Sequence, residues 1–238
     1  MPVRFRTTRQ IFAAIVAVFL SVAVPLHARP QQAAARVAGN CVSIGTPKPH
    51  LSFTYRYSDS AGGASEFTDR WEELTATGSK VLTNKRSAKG PGSITSVNQH
   101  HVMDDVFVLD STTQSGTDAG VSVNNSSSYQ PGVVAEPAYR ACLGRTWPVA
   151  AVNVTNQSAQ GRFSAATDPG TLTIKAIHES VTVPAGSFDT VHYLRTMRSA
   201  SGQAVDEYWK SIEHGVTVKR THTLPGVGLV TTILQAVK

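Results

Sequence analysis

The sequence predicts a mainly β fold: a single antiparallel curved sheet or half-open barrel, with a C-terminal meander and little helix beyond residue 28. Three observations predict this class. Short segments alternate apolar and polar residues, as strands do when they bury one face. Clusters of Gly, Ser, Asn and Asp, which favour turns, separate these segments. Few segments after residue 28 repeat apolar residues with the 3.6-residue period of a helix.

The N-terminus has the three parts of a secretory signal peptide. Residues 1–9 contain three arginines and no acid, residues 11–24 are almost entirely apolar, and Pro25 ends that run before Leu26-His27-Ala28. The apolar core has about 14 residues, whereas a membrane-spanning helix needs about 20. We therefore predict cleavage after residue 28, or alternatively near residues 33–35. Cleavage would leave a periplasmic or secreted protein without a stable membrane anchor.

The charge balance argues against a nucleic-acid partner. The chain of 238 residues carries 22 Lys and Arg against 16 Asp and Glu, a formal net charge of +6. Loss of residues 1–28 removes three arginines and no acid, which lowers this charge to +3. The remaining basic residues are scattered rather than gathered into a track for phosphates.

Two cysteines, Cys41 and Cys142, predict one disulfide. An even number of cysteines in an exported chain favours pairing. This bridge would close a loop of about 100 residues, for which chain entropy gives about 4–5 kcal/mol. The alternative is a pair of buried thiols. We predict a flexible N-terminus over residues 29–40 and a single β domain over residues 41–238. The disulfide would link the start of this domain to its middle.

The first strands follow from strict alternation. Phe53, Tyr55 and Tyr57 alternate with polar residues, and a Ser/Gly-rich turn follows at residues 58–63. The second strand places Phe67 and Trp71 on one face. Residues 75–80 contain the next turn signal.

The middle of the chain is less regular. Residues 102–109 are apolar on both faces and predict an interior strand. Residues 111–128 are nearly all Ser, Thr, Gly, Asn, Asp and Gln, which predicts a long loop or an edge excursion. A short helix is predicted around residues 137–142, and a strand over residues 149–154.

The C-terminal third predicts a meander. Apolar residues change parity within residues 171–183, which predicts a β-bulge near residues 176–179. The next strand runs over residues 188–198, and a Ser/Gly turn reverses it. Connections this short join antiparallel neighbours, because parallel crossovers need a dozen or more residues. The remaining strands of the meander are predicted over residues 205–209, 216–224 and 227–237.

Residues 183–188, Val-Pro-Ala-Gly-Ser-Phe, form the sharpest local motif, in which Pro184 sets a turn and Gly186 follows it. The motif resembles the turn of uncharacterised bacterial exported β-proteins, which continue with an aromatic-Trp pair and a Gly-Val-x-Val-Lys strand. Tyr208-Trp209 and residues 215–219 match these features, and residues 53–57 are similar to the group's first hairpin. The resemblance implies a half-open barrel similar in outline to periplasmic lipoprotein carriers, and no activity.

The motif His100-His101-Val102-Met103-Asp104-Asp105 could ligate a metal. On a continuous strand, His100 and Asp104 share one face while His101 and Asp105 share the other. Each face then offers only two ligands, and the spacing matches no common metal motif. The alternative is the polar start of an apolar strand, so metal binding by these four residues stays open.

Several histidines and carboxylates lie in the C-terminal meander. His192 and His222 are in mid-strand, where a cross-strand carboxylate could prepare an imidazole to act as a general base. The alternative is chance pairing on the solvated face of a sheet. The sequence contains none of the common nucleophile, phosphate-loop or zinc motifs. We assign no catalytic residue, metal or cofactor from the sequence.

Three functions remain in order of preference. An open concave face lined by aromatic residues predicts a binding or carrier protein for an apolar small molecule, a lipid or an envelope ligand. The second is a structural or interaction module that meets an envelope protein. The third is a hydrolase, which a buried His–carboxylate pair at a cleft would favour. The residues predicted to line the binding face are Tyr55, Tyr57, Trp71, Tyr193 and Trp209.

Overall fold

The computed structural model describes residues 40–238 except 50, 61, 75–77, 88–92, 119–120, 200–201 and 225–227. The predicted signal peptide (residues 1–28) and residues 29–39 of the predicted flexible segment lie outside this part of the chain. No helix within the described part is long and apolar enough to span a membrane.

Strands make up most of the described chain. They are β1 (Cys41–Ser43), β2 (Ser52–Asp59), β3 (Ala64–Leu74), β4 (Gly78–Ser87), β5 (Ser93–Met103), β6 (Val106–Asp118), β7 (Val121–Pro137), β8 (Arg140–Cys142), β9 (Thr146–Val149), β10 (Asn153–Ser158), β11 (Gly161–Ala166), β12 (Gly170–Val183), β13 (Gly186–Ser199), β14 (Gly202–Ser211), β15 (Thr217–Leu224) and β16 (Gly228–Val237). This confirms the predicted mainly β class.

Fourteen of these strands form one antiparallel sheet. Its order is β11-β10-β7-β6-β5-β4-β3-β2-β16-β15-β14-β13-β12-β9, so most neighbours in space are neighbours in sequence. Among the described residues, the edge strands β11 and β9 do not pair with each other, and the sheet stays open. The C-terminal meander, β12 to β16, is confirmed strand by strand.

The remaining two strands carry the disulfide. Strands β1 and β8 pair with Cys41 directly opposite Cys142, and the two sulfurs are bonded. The predicted bridge is therefore confirmed. It joins positions 101 residues apart in sequence.

The sheet curves because strands far apart in its order share a hydrophobic core. Val108 and Val134, on β6 and β7, belong to the same buried cluster as Leu172 and Tyr193, on β12 and β13. A second cluster gathers Phe53, Val218 and Leu234 from β2, β15 and β16, and all three are fully buried.

The predicted bulge in β12 is confirmed. Its register with β13 shifts twice between Ile174 and Glu179, and His178 there has a φ of +60°. The predicted turn follows, with Val183 opposite Gly186, which closes a two-residue hairpin. Gly186 has a φ of +135°, which residues with a side chain rarely adopt.

The prediction of a loop over residues 111–128 is wrong. Residues 111–118 lie in β6, and residues 121–128 lie in β7, which pairs with it. Their side chains bond across neighbouring strands: the Thr112 hydroxyl donates to Asn98 at 2.8 Å, and the Ser127 hydroxyl donates to Asn156 at 2.6 Å. Such ladders stabilise a polar sheet, so a loop-like composition here concealed a long hairpin.

Two other local predictions are also wrong. Residues 102–109 are not one strand, because Asp104 and Asp105 form the turn between β5 and β6 with φ values of +50° and +64°. Asp tolerates this left-handed conformation better than most residues. No helix forms over residues 137–142. Strand β7 ends at Pro137, the Ala138 N–H donates to the Asp105 carbonyl at 2.8 Å, and β8 begins at Arg140.

Candidate functional site

A cavity of about 520 Å³ opens on the inner face of the curved sheet. This volume is within the range of about 300–1,000 Å³ that is usual for small-molecule sites. Its lining comes from widely separated strands and consists of Tyr55, Tyr57, Phe67, Asp69, Trp71, Asn98, His100, Ala135, Glu136, Tyr193, Arg195, Tyr208, Val216, Thr217, Arg220, His222, Val230 and Thr232.

One row of directly opposed residues crosses five neighbouring strands of the cavity wall. Opposed residues in an antiparallel sheet point to the same face, so register alone brings these side chains together. From β2 to β13 the row is Tyr57, Thr232, Arg220, Tyr208 and Tyr193.

The adjacent row is built around a buried carboxylate. Asp206 lies opposite Arg195 on one side and His222 on the other. It is only 2% exposed. Its Oδ1 atom accepts hydrogen bonds from Arg220 Nη2 at 2.9 Å and from the imidazole Nδ1 of His222. Asp206 therefore orients two cavity-lining side chains, Arg220 and His222, from the same face of the sheet.

Stacked aromatic rings supply flat apolar surfaces. The rings of Tyr193 and Tyr208 lie 4.7 Å apart and nearly parallel, and those of Tyr55 and Phe67 lie 4.9 Å apart. Burial raises the pKa of Tyr55 and of Tyr193 well above the ordinary value of 10.0. Both phenols therefore stay protonated at neutral pH and can donate hydrogen bonds.

A buried ion pair closes another part of the wall. The Lys210 side chain has no exposed surface, and its Nζ lies 3.2 Å from Glu136 Oε2. It also donates to the Pro137 carbonyl at 2.7 Å, while the Tyr193 hydroxyl donates to Glu136 at 3.4 Å. Burial lowers the pKa of Lys210, and the Glu136 carboxylate opposes that shift. The charge of Glu136 is thus balanced within the wall.

The proposed metal motif is divided between different contacts. His100 lines the cavity, and burial lowers its pKa. His101 instead bonds Asp110 at 2.8 Å. Asp104 and Asp105, in the hairpin turn, both pair with Arg145, so the predicted His–Asp faces do not form. In the described ranges, no group of three His, Cys, Asp or Glu side chains is placed to hold a metal ion.

The structure brings together four of the five aromatic residues predicted to bind ligand. Tyr55, Tyr57, Trp71 and Tyr193 line the cavity, whereas Trp209 does not. Whether they bind a ligand stays a prediction.

Trp209 lies on the opposite face of the sheet. It stacks on His192 with ring centroids 4.5 Å apart, and the Lys219 ammonium lies 4.4 Å from its ring. Its indole N–H donates to Glu179 at 2.8 Å. The prediction erred by one position, since Tyr208 is the neighbour that faces the cavity.

Sequence reasoning missed the charged part of the wall. Arg195 shares the parity of Tyr193 along β13, and Arg220 shares that of His222 along β15. Alternation could therefore have placed each pair on one face. Charged residues usually indicate the solvated face of a sheet, so Arg195 and Arg220 were not predicted to line the cavity.

Comparisons with known proteins add little. No family model matches the chain, and no curated protein matches it. Among solved structures, one similar protein is a "putative exported protein with YmcC-like fold" from Bacteroides fragilis. It shares 8% identity and a TM-score of 0.40, with 83% of this chain and 100% of that chain covered. The cavity geometry therefore has to carry the functional inference.

Proposed function

We propose that this protein is an exported, periplasmic or secreted, binding or carrier protein that holds a small ligand inside its curved sheet. The observation that carries the proposal is the cavity of about 520 Å³ with two stacked aromatic pairs in its wall. The disulfide between Cys41 and Cys142 supports an oxidising compartment.

The lining favours a ligand with both an apolar body and polar groups. The stacked rings and Trp71 offer apolar surface for the body. A purely apolar ligand would displace water from Arg195, Arg220 and the tyrosine hydroxyls and offer them no hydrogen bonds in return, which costs free energy. A lipid with a polar head group meets both requirements.

Filling the cavity should weaken ligand binding. We expect Ala135→Trp to weaken binding of the fluorescent probe phenylnaphthylamine by about tenfold or more, because an indole at this lining position occupies the ligand's space. Ala165→Trp, on the exposed strand β11, is the matched control and should bind like the wild type. Native mass spectrometry of the protein exported to a periplasm should show a co-purified adduct. A clean apo protein that also fails to bind the probe would favour the envelope interaction module.

A second candidate function, hydrolysis, is favoured by His222 and Asp206. A carboxylate accepts hydrogen bonds and does not donate them, so His222 carries a proton on Nδ1 and its Nε2 can accept another. His222 lines the cavity and could therefore act as a general base. The described lining residues include no Ser or Cys, so water would be the nucleophile.

Loss of His222 tests this candidate. If the wild type hydrolyses para-nitrophenyl decanoate, His222→Asn should lower the rate by about 100-fold, the effect expected for loss of a general base. His178→Asn is the matched control, because His178 bonds Asp189 in an exposed pair outside the cavity. Wild-type hydrolysis at the uncatalysed rate would reject catalysis of this ester and leave the binding proposal intact.

A further inference from the structure

Positive charge is in excess at one end of the cavity. Arg195 lies opposite Asp206 on the neighbouring strand, and the single carboxylate of Asp206 bonds Arg220 and the imidazole of His222, so two guanidinium groups face one carboxylate. Within the described part of the chain, Arg195 has no carboxylate oxygen within 4.0 Å, and its Nη2 instead donates to the sulfur of Met197 at 3.3 Å. The guanidinium of Arg195 is therefore a cavity cation without a counterion in this part of the protein.

Both arginines also have a hydrogen-bond donor to spare. The Nε atoms of Arg195 and Arg220 are buried, and neither has a hydrogen-bond partner among the described residues. Most buried polar groups in proteins are paired, and an unpaired charged donor is costly. The two guanidinium groups are therefore incompletely hydrogen-bonded, and a ligand anion that shifts them toward the cavity would complete their bonding.

The cavity's carboxylates do not neutralise this end. Glu136 is paired with Lys210. Asp69 lies in the row of Phe53, three rows along β2 from the row that contains Arg195. Asp69 acts on Tyr55, whose pKa it helps to raise. The unbalanced charge is therefore local to the strands β13 and β15.

We propose that the ligand is an anionic amphiphile whose carboxylate or phosphate is held by Arg195 and Arg220. This inference rests on the proposed binding function and specifies its ligand class. Guanidinium groups bind such anions through charge-assisted, often bidentate hydrogen bonds. Arg220 is held in place by Asp206 and by the Tyr208 ring, 5.1 Å from its guanidinium carbon. The apolar body lies against the stacked rings of Tyr193 and Tyr208.

Matched competitors test the charge requirement. The test measures, at neutral pH, how well decanoate and decanol each displace the neutral probe phenylnaphthylamine. The two competitors have the same chain length and differ in the head group. We expect decanoate to compete at a concentration lower by about tenfold, the effect of one or two charge-assisted hydrogen bonds. Decyl phosphate distinguishes the two anion types, and preference for either anion over decanol supports the proposal.

Variants of Arg195 assign the effect to this site. Arg195→Gln should reduce the ratio between decanol and decanoate to near one, and Arg195→Lys should restore part of it. Arg198→Gln, an exposed position on the same strand outside the cavity lining, removes the same charge and should leave the ratio unchanged. Thermal unfolding of each variant verifies that it is folded.

The outcomes separate the two proposals. If decanol competes as well as both anions in the wild type, the anionic ligand class is wrong while the binding function stands. If the wild type prefers the anions and Arg195→Gln keeps the ratio, the assignment of the anion to Arg195 is wrong. If the wild type binds neither probe nor competitor, by fluorescence and by native mass spectrometry, both proposals are wrong.

Discussion

Replacing Cys41 and Cys142 together by serine should lower the free energy of unfolding by about 4 kcal/mol. The bridge joins positions 101 residues apart, and a loop of this length gives one of the larger entropic contributions expected of a single disulfide. The strands that carry it, β1 and β8, have three residues each and form a separate two-stranded sheet. An isolated pair of strands is marginal at best in water.

Urea unfolding of the double variant measures this effect. The loss should extend beyond the bridge, because Ile44 and Ala141 beside it are buried in the first core cluster. Wild-type protein with its disulfide reduced should match the double variant. A loss below about 1 kcal/mol would contradict the expectation and mean that this core holds β1 and β8 without the covalent link.

Replacing Glu136 by leucine should cost about 3–5 kcal/mol, the usual effect of removing one partner of a buried ion pair. Lys210 has no exposed surface, so its ammonium group would be left in the core with the Pro137 carbonyl as its remaining hydrogen-bond partner among the described residues. Urea unfolding at neutral pH measures the loss.

The reciprocal change should be milder. Glu136 retains 21% exposure and lines the cavity, so in Lys210→Met its carboxylate can remain hydrated. The double variant, Glu136→Leu with Lys210→Met, should recover most of the loss, because replacing both charges by apolar groups removes the unpaired ion. Equal losses in the two single variants would argue against this asymmetry.

The same pair makes stability depend on pH. Burial lowers the pKa of Lys210 in the folded protein below its ordinary value of 10.5, so the unfolded chain binds more protons between the two values. The free energy of unfolding contributed by Lys210 therefore rises with pH up to about 10.5 and falls as pH decreases through the lowered pKa. Subtracting the Lys210→Met profile from the wild-type profile should show this rise as the pH approaches 10.5 from below.

Local sequence was enough to predict much of the sheet. Alternation at Phe53, Tyr55 and Tyr57 predicted one buried face. The shift of apolar residues from even to odd positions within β12 predicted the bulge near His178. These features depend on neighbouring residues in the chain, which is why composition and periodicity reveal them. The polar strands over residues 111–128 escaped because Ser, Thr and Asn suit turns as well as hydrogen-bonded ladders between strands.

The cavity depends on contacts that no local pattern contains. Tyr208 and Trp209 are adjacent aromatic residues, and alternation states that they face opposite ways without stating which one faces inward. Arg195 and Arg220 would have been placed on the solvated side by their charge. They line a cavity because the sheet curves until β6 and β7 share a core with β12 and β13.

The sequence by itself predicted the mainly β class, the C-terminal meander, the bulge and the pairing of its two cysteines, since each follows from short-range periodicity or from counting. Only the tertiary structure decided which face became the interior and that Asp206 would meet His222 and Arg220. Register between β14 and β15 and curvature of the whole sheet set those contacts. Both are long-range properties, because they depend on how distant apolar side chains pack together.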